Sequence, residues 1–269
     1  MGLGGHLTWT AVASAIKKEK GVNSLPLENG RLCDYSEIFL NNPDFTIDPD
    51  DNSYRLNLSD PDCNYLADHG ERVKFKTEKH IITNICENLK IKNFELKCHI
   101  YLTDDEIKKS HSVINKLPKK YIVIEPGSKL SWTQSRAYPF HKWQKIVNSL
   151  NNYNFVQIGA PNFEKLDNVT YLNGQLSFRE SSEVIKNSEL FISTEGGLGH
   201  LSNAVNKQSL LVYTSYQNPS MTAYPTTKVV DIALYRDKIL GYKRHHLYKE
   251  EAEKHDESEI TNAILELVV

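Results

Sequence analysis

From residue 121 onward the chain alternates short apolar runs with stretches of helical periodicity. Tyr121-Ile122-Val123-Ile124, Asn154-Phe155-Val156-Gln157-Ile158, Glu189-Leu190-Phe191-Ile192 and Ser209-Leu210-Leu211-Val212-Tyr213 read as buried strands. Between the first two, Pro139 opens a helix that carries Phe140, Trp143, Ile146, Val147 and Leu150 at helical spacing. Ser177-Phe178-Arg179-Glu180 has the pattern of a capping box starting another helix, and Leu201 to Val205 opens one more. Strands separated by helices imply right-handed crossovers, so this pattern predicts a parallel, doubly wound α/β sheet over residues 119–245.

The first half is patterned less clearly. Leu7, Ala11, Val12, Ala15 and Ile16 share one helix face, whereas residues 41–61, rich in Asp, Asn and Pro, read as loop. Thr103-Asp104-Asp105-Glu106 is a second capping box, leading a helix through Ile107, Ile114 and Leu117 that stops at Pro118. The expected division is an N-terminal domain over 1–118, a C-terminal domain over 119–245, and a closing segment over 246–269. The closing segment's helix, with Ile260, Ile264 and Leu267 inward, is expected to lean back on the N-terminal domain. The chain opens on Gly2-Leu3-Gly4-Gly5-His6, a glycine turn feeding a helix, whereas such a turn normally follows the first strand of a doubly wound domain. The expectation is a short N-terminal domain lacking its first strand, or an internal start at Met1.

Composition narrows the classes. Thirty-two basic against 34 acidic residues give −2, which argues against a nucleic-acid partner. Cys33, Cys63, Cys86 and Cys98 have no C-x-x-C spacing and read as reduced thiols rather than disulfides or a zinc site. There is no secretion-signal layout and no apolar run near the roughly 20 residues of a membrane helix, so a cytoplasmic protein is expected, with room for peripheral contact with the inner membrane. P-loop, H-E-x-x-H and G-x-S-x-G motifs are absent. Gly2-Leu3-Gly4-Gly5-His6-Leu7 lacks the third glycine of a dinucleotide fingerprint. Asp48-Pro49-Asp50 and Asp60-Pro61-Asp62 read as surface turns rather than the D-x-D metal motif of GT-A transferases.

Two strand ends carry candidate chemistry. The turn Thr194-Glu195-Gly196-Gly197-Leu198-Gly199-His200 hands a strand over to a helix, whose first N–H groups and dipole favour an anion. Glycines let a ligand approach the backbone. Glu195 would repel a phosphate but suits sugar hydroxyls, so the pair of features points to a nucleotide sugar. Packing alone is the plain alternative for the glycines, and a cap or surface position for His200. At the end of the Tyr121 strand, Pro126-Gly127-Ser128-Lys129 offers a turn, a hydroxyl and an ammonium, and Arg136 precedes the Pro139 helix. Solvated loop charges are the alternative for Lys129 and Arg136, and also the plainer reading of the Lys243-Arg244-His245-His246 cluster.

Together, "IEPGSK", "RAYPFHKW" and "STEGGLGHLSNA" resemble the donor-binding half of glycosyltransferase family 9, the heptosyltransferase-like enzymes. "GLGGHLTWTAVASAIKKE" resembles that family's opening G-x-G-D-x-L-x-[ST] turn and first helix, and "LTDDEIKK" sits where the family places an interdomain helix. Residues 22–100 match weakly. The resemblance implies a GT-B fold of two Rossmann-like domains. It implies inverting, metal-independent transfer, without a cofactor, of a hexose or heptose from a nucleotide-diphosphate sugar. The acceptor would be a saccharide or glycolipid, such as lipopolysaccharide or another surface glycan. Carried over by position, Ser128 and Arg136 would hold the diphosphate, Gly196, Gly197 and His200 would line the helix-end site, and Glu195 would touch the donor sugar. The family's catalytic Asp aligns with Gly5, which cannot take a proton. Its neighbour His6 can, and becomes the expected base, with a capping or packing role as its alternative and Glu195 as a further candidate. A non-catalytic nucleotide-sugar or glycan-binding protein of the same fold is the rival reading.

Overall fold

A computed structural model describes residues 2–48, 52–59, 79–127, 134–235 and 245–268. Ser128, Lys129, Cys63, Lys243 and Arg244 lie outside the described residues, as does most of the two Asp-Pro-Asp stretches.

In the N-terminal half, α1 (Leu3–Lys20) runs about one turn beyond the end of its apolar stripe at Ile16 and stops at Gly21, whose φ of 73° is the left-handed cap glycine adopts without strain. It leads into β1 (Ser24–Glu28), β2 (Arg31–Leu32) and β3 (Tyr54–Asn57). Among the described residues these make a three-stranded sheet, with β1 antiparallel to β2 and parallel to β3. β3 corrects the reading of residues 41–61 as loop: Leu56 is fully buried, and Tyr54 and Leu56 share one strand. No strand precedes α1 among the described residues. Two further helices follow, α2 (Ile81–Asn88) and α3 (Asp104–Ile114). The Thr103–Glu106 capping box forms as expected: Glu106 N–H donates to Thr103 Oγ1 at 3.2 Å, and Thr103 N–H to Glu106 Oε2 at 2.7 Å.

The C-terminal half contains β4 (Ile122–Glu125), α4 (Phe140–Ser149), β5 (Phe155–Gln157), β6 (Val169–Tyr171), α5 (Ser181–Lys186), β7 (Leu190–Thr194) and α6 (Gly197–Ala204). It continues with β8 (Ser209–Tyr213), α7 (Pro219–Thr222), β9 (Thr227–Asp231), α8 (His245–Lys254) and α9 (Ser258–Leu267). The Ser177–Glu180 box also forms, as a turn just ahead of α5: Glu180 N–H donates to Ser177 Oγ and Ser177 N–H to Glu180 Oε2. All six strands pair in parallel, in the order β6-β5-β4-β7-β8-β9. Counted from β4 this is the doubly wound order 3-2-1-4-5-6, which reverses direction between β4 and β7.

Successive side chains of these strands enter two cores, as expected where helices cover both faces. Val123, Phe191, Leu211 and Tyr213 join a core shared with α1, through Leu7 and Ile16, and with α2, through Ile81 and Ile85. Ile122, Ile124, Ile192, Leu210 and Val212 face a second core with Trp143 and Ile146 of α4. Ile260, Ala263 and Ile264 of α9 lie in this second core. The closing helix therefore packs on the outer face of the C-terminal sheet, not back on the N-terminal half. That face is apolar, and α4 covers only part of it. No helix among the described residues is long and apolar enough to cross a membrane.

Candidate active site

The strand order reverses between β4 and β7, and the crevice at the carboxyl ends of the strands at such a switch is the usual ligand position in these sheets. Arg136 and the turn at Glu195 lie there. Arg136, at the end of the 3-10 turn Gln134–Arg136, forms an ion pair with Glu195, its Nε 2.9 Å from Oε2. Its guanidinium carbon lies 5.2 Å from the ring centre of Tyr216, in the loop after β8. Glu195 directly follows β7, and its N–H donates to Val212 O at 3.1 Å, which fixes the start of the turn on the neighbouring strand. Its carboxylate is almost fully buried. Burial raises its pKa and the Arg136 charge opposes that rise. The sequence assigned these two residues to different parts of a donor, whereas the structure pairs them.

The three glycines of the turn separate by role. A side chain on Gly197 would meet the Phe178 ring at 3.3 Å and Gly4 N at 3.6 Å, and one on Gly4 would meet Gly197 Cα at 2.8 Å. These two glycines let α1 and α6 pack backbone to backbone. One on Gly199 would meet Leu211 Cδ1 at 2.8 Å, so that glycine seats α6 on the sheet. Gly196, the N-cap of α6, is extended (φ 174°), and a Cβ there would meet nothing nearer than Thr194 O at 3.9 Å. Neither crowding nor conformation demands glycine at 196, and its face is open beside the helix start.

His200, in the first turn of α6, is buried. Its Nδ1 lies 2.7 Å from Tyr224 Oη, which also contacts Cys98 Sγ at 3.1 Å. Burial, then the nearby His80 and Arg136, lowers its pKa to about 3, so the ring is neutral. His80, at the start of α2, is likewise buried and lowered to about 4.

His6 is 2 % exposed, enclosed by the N-terminal half. Its Nδ1 lies 2.7 Å from Ser36 Oγ and its ring packs against Phe39 and Tyr35. Nε2 has no hydrogen-bond partner among the described residues. Burial first, then a nearby positive charge, lowers its pKa to about 4, against a smaller opposing effect of Glu28. It is a neutral imidazole at pH 7, as a base must be, but it sits behind a closed wall.

Two groups escaped the sequence reading. Glu125 ends β4 at the switch itself. Ser193 Oγ donates at 3.0 Å to its Oε2, and burial raises its pKa to about 8. The acid in "IEPG" at a predicted strand end was the available signal. Arg179, read only as the interior of a capping box, is 1 % exposed. It donates to both carboxylate oxygens of Glu106 (2.7 and 2.9 Å) and to the carbonyls of Tyr101 and Glu37, tying the turn before α5 to the N-terminal half. Long-range contacts of this kind leave no local trace.

The model of glycosyltransferase family 9 (heptosyltransferase) matches residues 78–246, more than half of the chain. The crystal structure of the glycosyl transferase family 9 from Veillonella parvula DSM 2008 superposes with a TM-score of 0.67 at 12% identity, covering 100% of this chain and 94% of that one. The E. coli heptosyltransferase WaaC with ADP is similar over 71% of this chain and 57% of its own, at 16% identity and a TM-score of 0.46. Among curated proteins, the retrovirus-related Pol polyprotein from transposon 412 of Drosophila melanogaster is 29% identical over 92 residues. That stretch is 34% of this chain, and the match spans only 7% of the polyprotein. The fold is a mixed α/β architecture of GT-B type. By the family match over more than half of its length, this chain belongs to glycosyltransferase family 9.

Proposed function

We propose that this glycosyltransferase moves a sugar, a hexose or heptose, from a nucleotide-diphosphate donor to a saccharide hydroxyl, with inversion and without a catalytic metal. One observation carries the reading. The switch point of the C-terminal sheet brings Arg136 and Glu195 together beside the open Gly196 face and the N-terminus of α6. A diphosphate entering there would compete with Glu195 for Arg136 and gain the helix-end N–H groups. The freed carboxylate could then accept hydrogen bonds from sugar hydroxyls. Ser128 and Lys129 complete the donor side in this reading, and Gly197 and His200 support the turn from behind.

For the proton, the reading uses His6. In the tautomer that donates Nδ1–H to Ser36 Oγ, Nε2 holds the lone pair a base needs. Acceptor binding must then open the wall around the ring. The acceptor is proposed to be a surface-glycan precursor met on the cytoplasmic side of a membrane. Product formation from a panel of nucleotide sugars and oligosaccharide acceptors, read by mass spectrometry, tests the reading, and transfer by the wild type with loss in His6→Ala supports it.

One observation favours a second reading. Gly5 stands where the family carries its carboxylate, and α1 contacts α6 at Gly4 and Gly197. A binding protein that has lost catalysis would look the same there. Tight donor binding without transfer would establish it.

A further inference from the structure

Behind the first turns of α1, three side chains with different donor atoms converge. His6, half-buried Glu28 at the end of β1, and buried Cys33 just after β2 place one nitrogen, one oxygen and one sulfur within 4.8 Å of one another. They come from three elements, so no sequence spacing announces them. A second observation accompanies this cluster: His6 Nε2 is buried without a hydrogen-bond partner among the described residues, while Ser36 holds Nδ1. A histidine with one nitrogen fixed and the other bare is oriented as metal-ligating histidines are.

We infer that His6, Glu28 and Cys33 form a site for one borderline divalent cation of the zinc class. Nitrogen, thiolate and carboxylate are the donors such an ion takes, and three protein ligands leave a fourth tetrahedral position open to water. A thiolate and a carboxylate together balance the charge of the ion. Binding displaces the Cys33 thiol proton to solvent. Hard cations such as magnesium or calcium have no preference for sulfur and are not expected to compete. The site stands independently of the transfer reading. Once filled, it takes up the Nε2 lone pair, so cation binding and proton acceptance at His6 exclude each other.

The test uses the full chain, stripped with a chelator and titrated with cobalt(II) as a spectroscopic stand-in, then with zinc(II) by calorimetry. The expected result is one equivalent bound, with visible tetrahedral cobalt bands and a thiolate-to-cobalt charge-transfer band. Cys33→Ser should abolish the charge-transfer band. Glu28→Gln and His6→Gln should each weaken binding by about tenfold or more, with circular dichroism showing an intact fold. Cys86→Ser and Cys98→Ser should leave the titration unchanged. No stoichiometric binding by the wild type, or a charge-transfer band that survives Cys33→Ser, overturns the inference.

Discussion

Arg136 and Glu195 show how one pair of residues can hold a site together before any ligand arrives. Arg136→Ala removes the diphosphate's proposed partner and should weaken donor binding by about 1.5–3 kcal/mol, the usual value of a charge-assisted contact. It also strands a buried carboxylate, so the variant should lose stability that Arg136→Ala/Glu195→Gln partly recovers. Additive losses in that cycle, measured by urea denaturation, would show the pair is not coupled. The buried ionisable groups set opposing pH trends. His80 and His200 are held below their ordinary value of 6.5, at about 4 and 3. Between those values and pH 6.5 the unfolded chain binds more protons, so these histidines make stability fall as pH drops through that window, by up to about 1.4 kcal/mol per pH unit each. Glu125, raised from 4.5 to about 8, acts in the other direction. Folded, it keeps a proton that the unfolded chain releases, so its contribution is lost as pH rises from 4.5 to 8. Glu125→Gln should therefore stabilise the protein at pH 8 more than at pH 5. Equal effects at both pH values would mean that the carboxyl is already ionised in the fold.

Among elements, the contact between α1 and α6 is the most exacting. Gly4→Ala would drive a methyl into backbone at Gly197 and should cost about 1–3 kcal/mol by forcing the helices apart. Gly199→Ala meets only the end of a leucine side chain that can turn aside, and should cost less. Gly196→Ala should leave the melting temperature unchanged, yet weaken donor binding where the ligand approaches its open face. A large stability loss at 196, or none at 4, would reverse this assignment of roles.

Much of this was legible in the sequence. Strands β4, β5, β7 and β8 are buried on both faces and so are written with consecutive apolar residues on both sides of the pleat. Edge strands β6 and β9 carry polar residues and left no such run, and β1 contains Pro26, which argues against a strand. The turn at Glu195 was recognisable as chemistry. That two of its glycines serve packing, and that His200 faces Tyr224, depends on partners distant in the sequence.

At the scale of the whole molecule, the two halves share a core. Leu7, Ile16 and Ile81 pack in one cluster with Phe191 and Leu211. Buried Arg179 adds a polar tie between them. Calorimetric unfolding is expected as a single cooperative transition. Arg179→Ala, which removes the guanidinium from the Glu106 carboxylate and from the carbonyls of Tyr101 and Glu37, should destabilise the fold by about 3–5 kcal/mol. Two separate transitions in the wild type would mean the halves fold independently. The central claim, however, is that the β4–β7 crevice holds a nucleotide-diphosphate donor, and titration calorimetry with nucleoside diphosphates and their sugars tests it most directly. The account predicts one-to-one binding of at least one of them, weakened by about tenfold or more in Arg136→Ala. No binding to the wild type, or equal affinity in that variant, would contradict it.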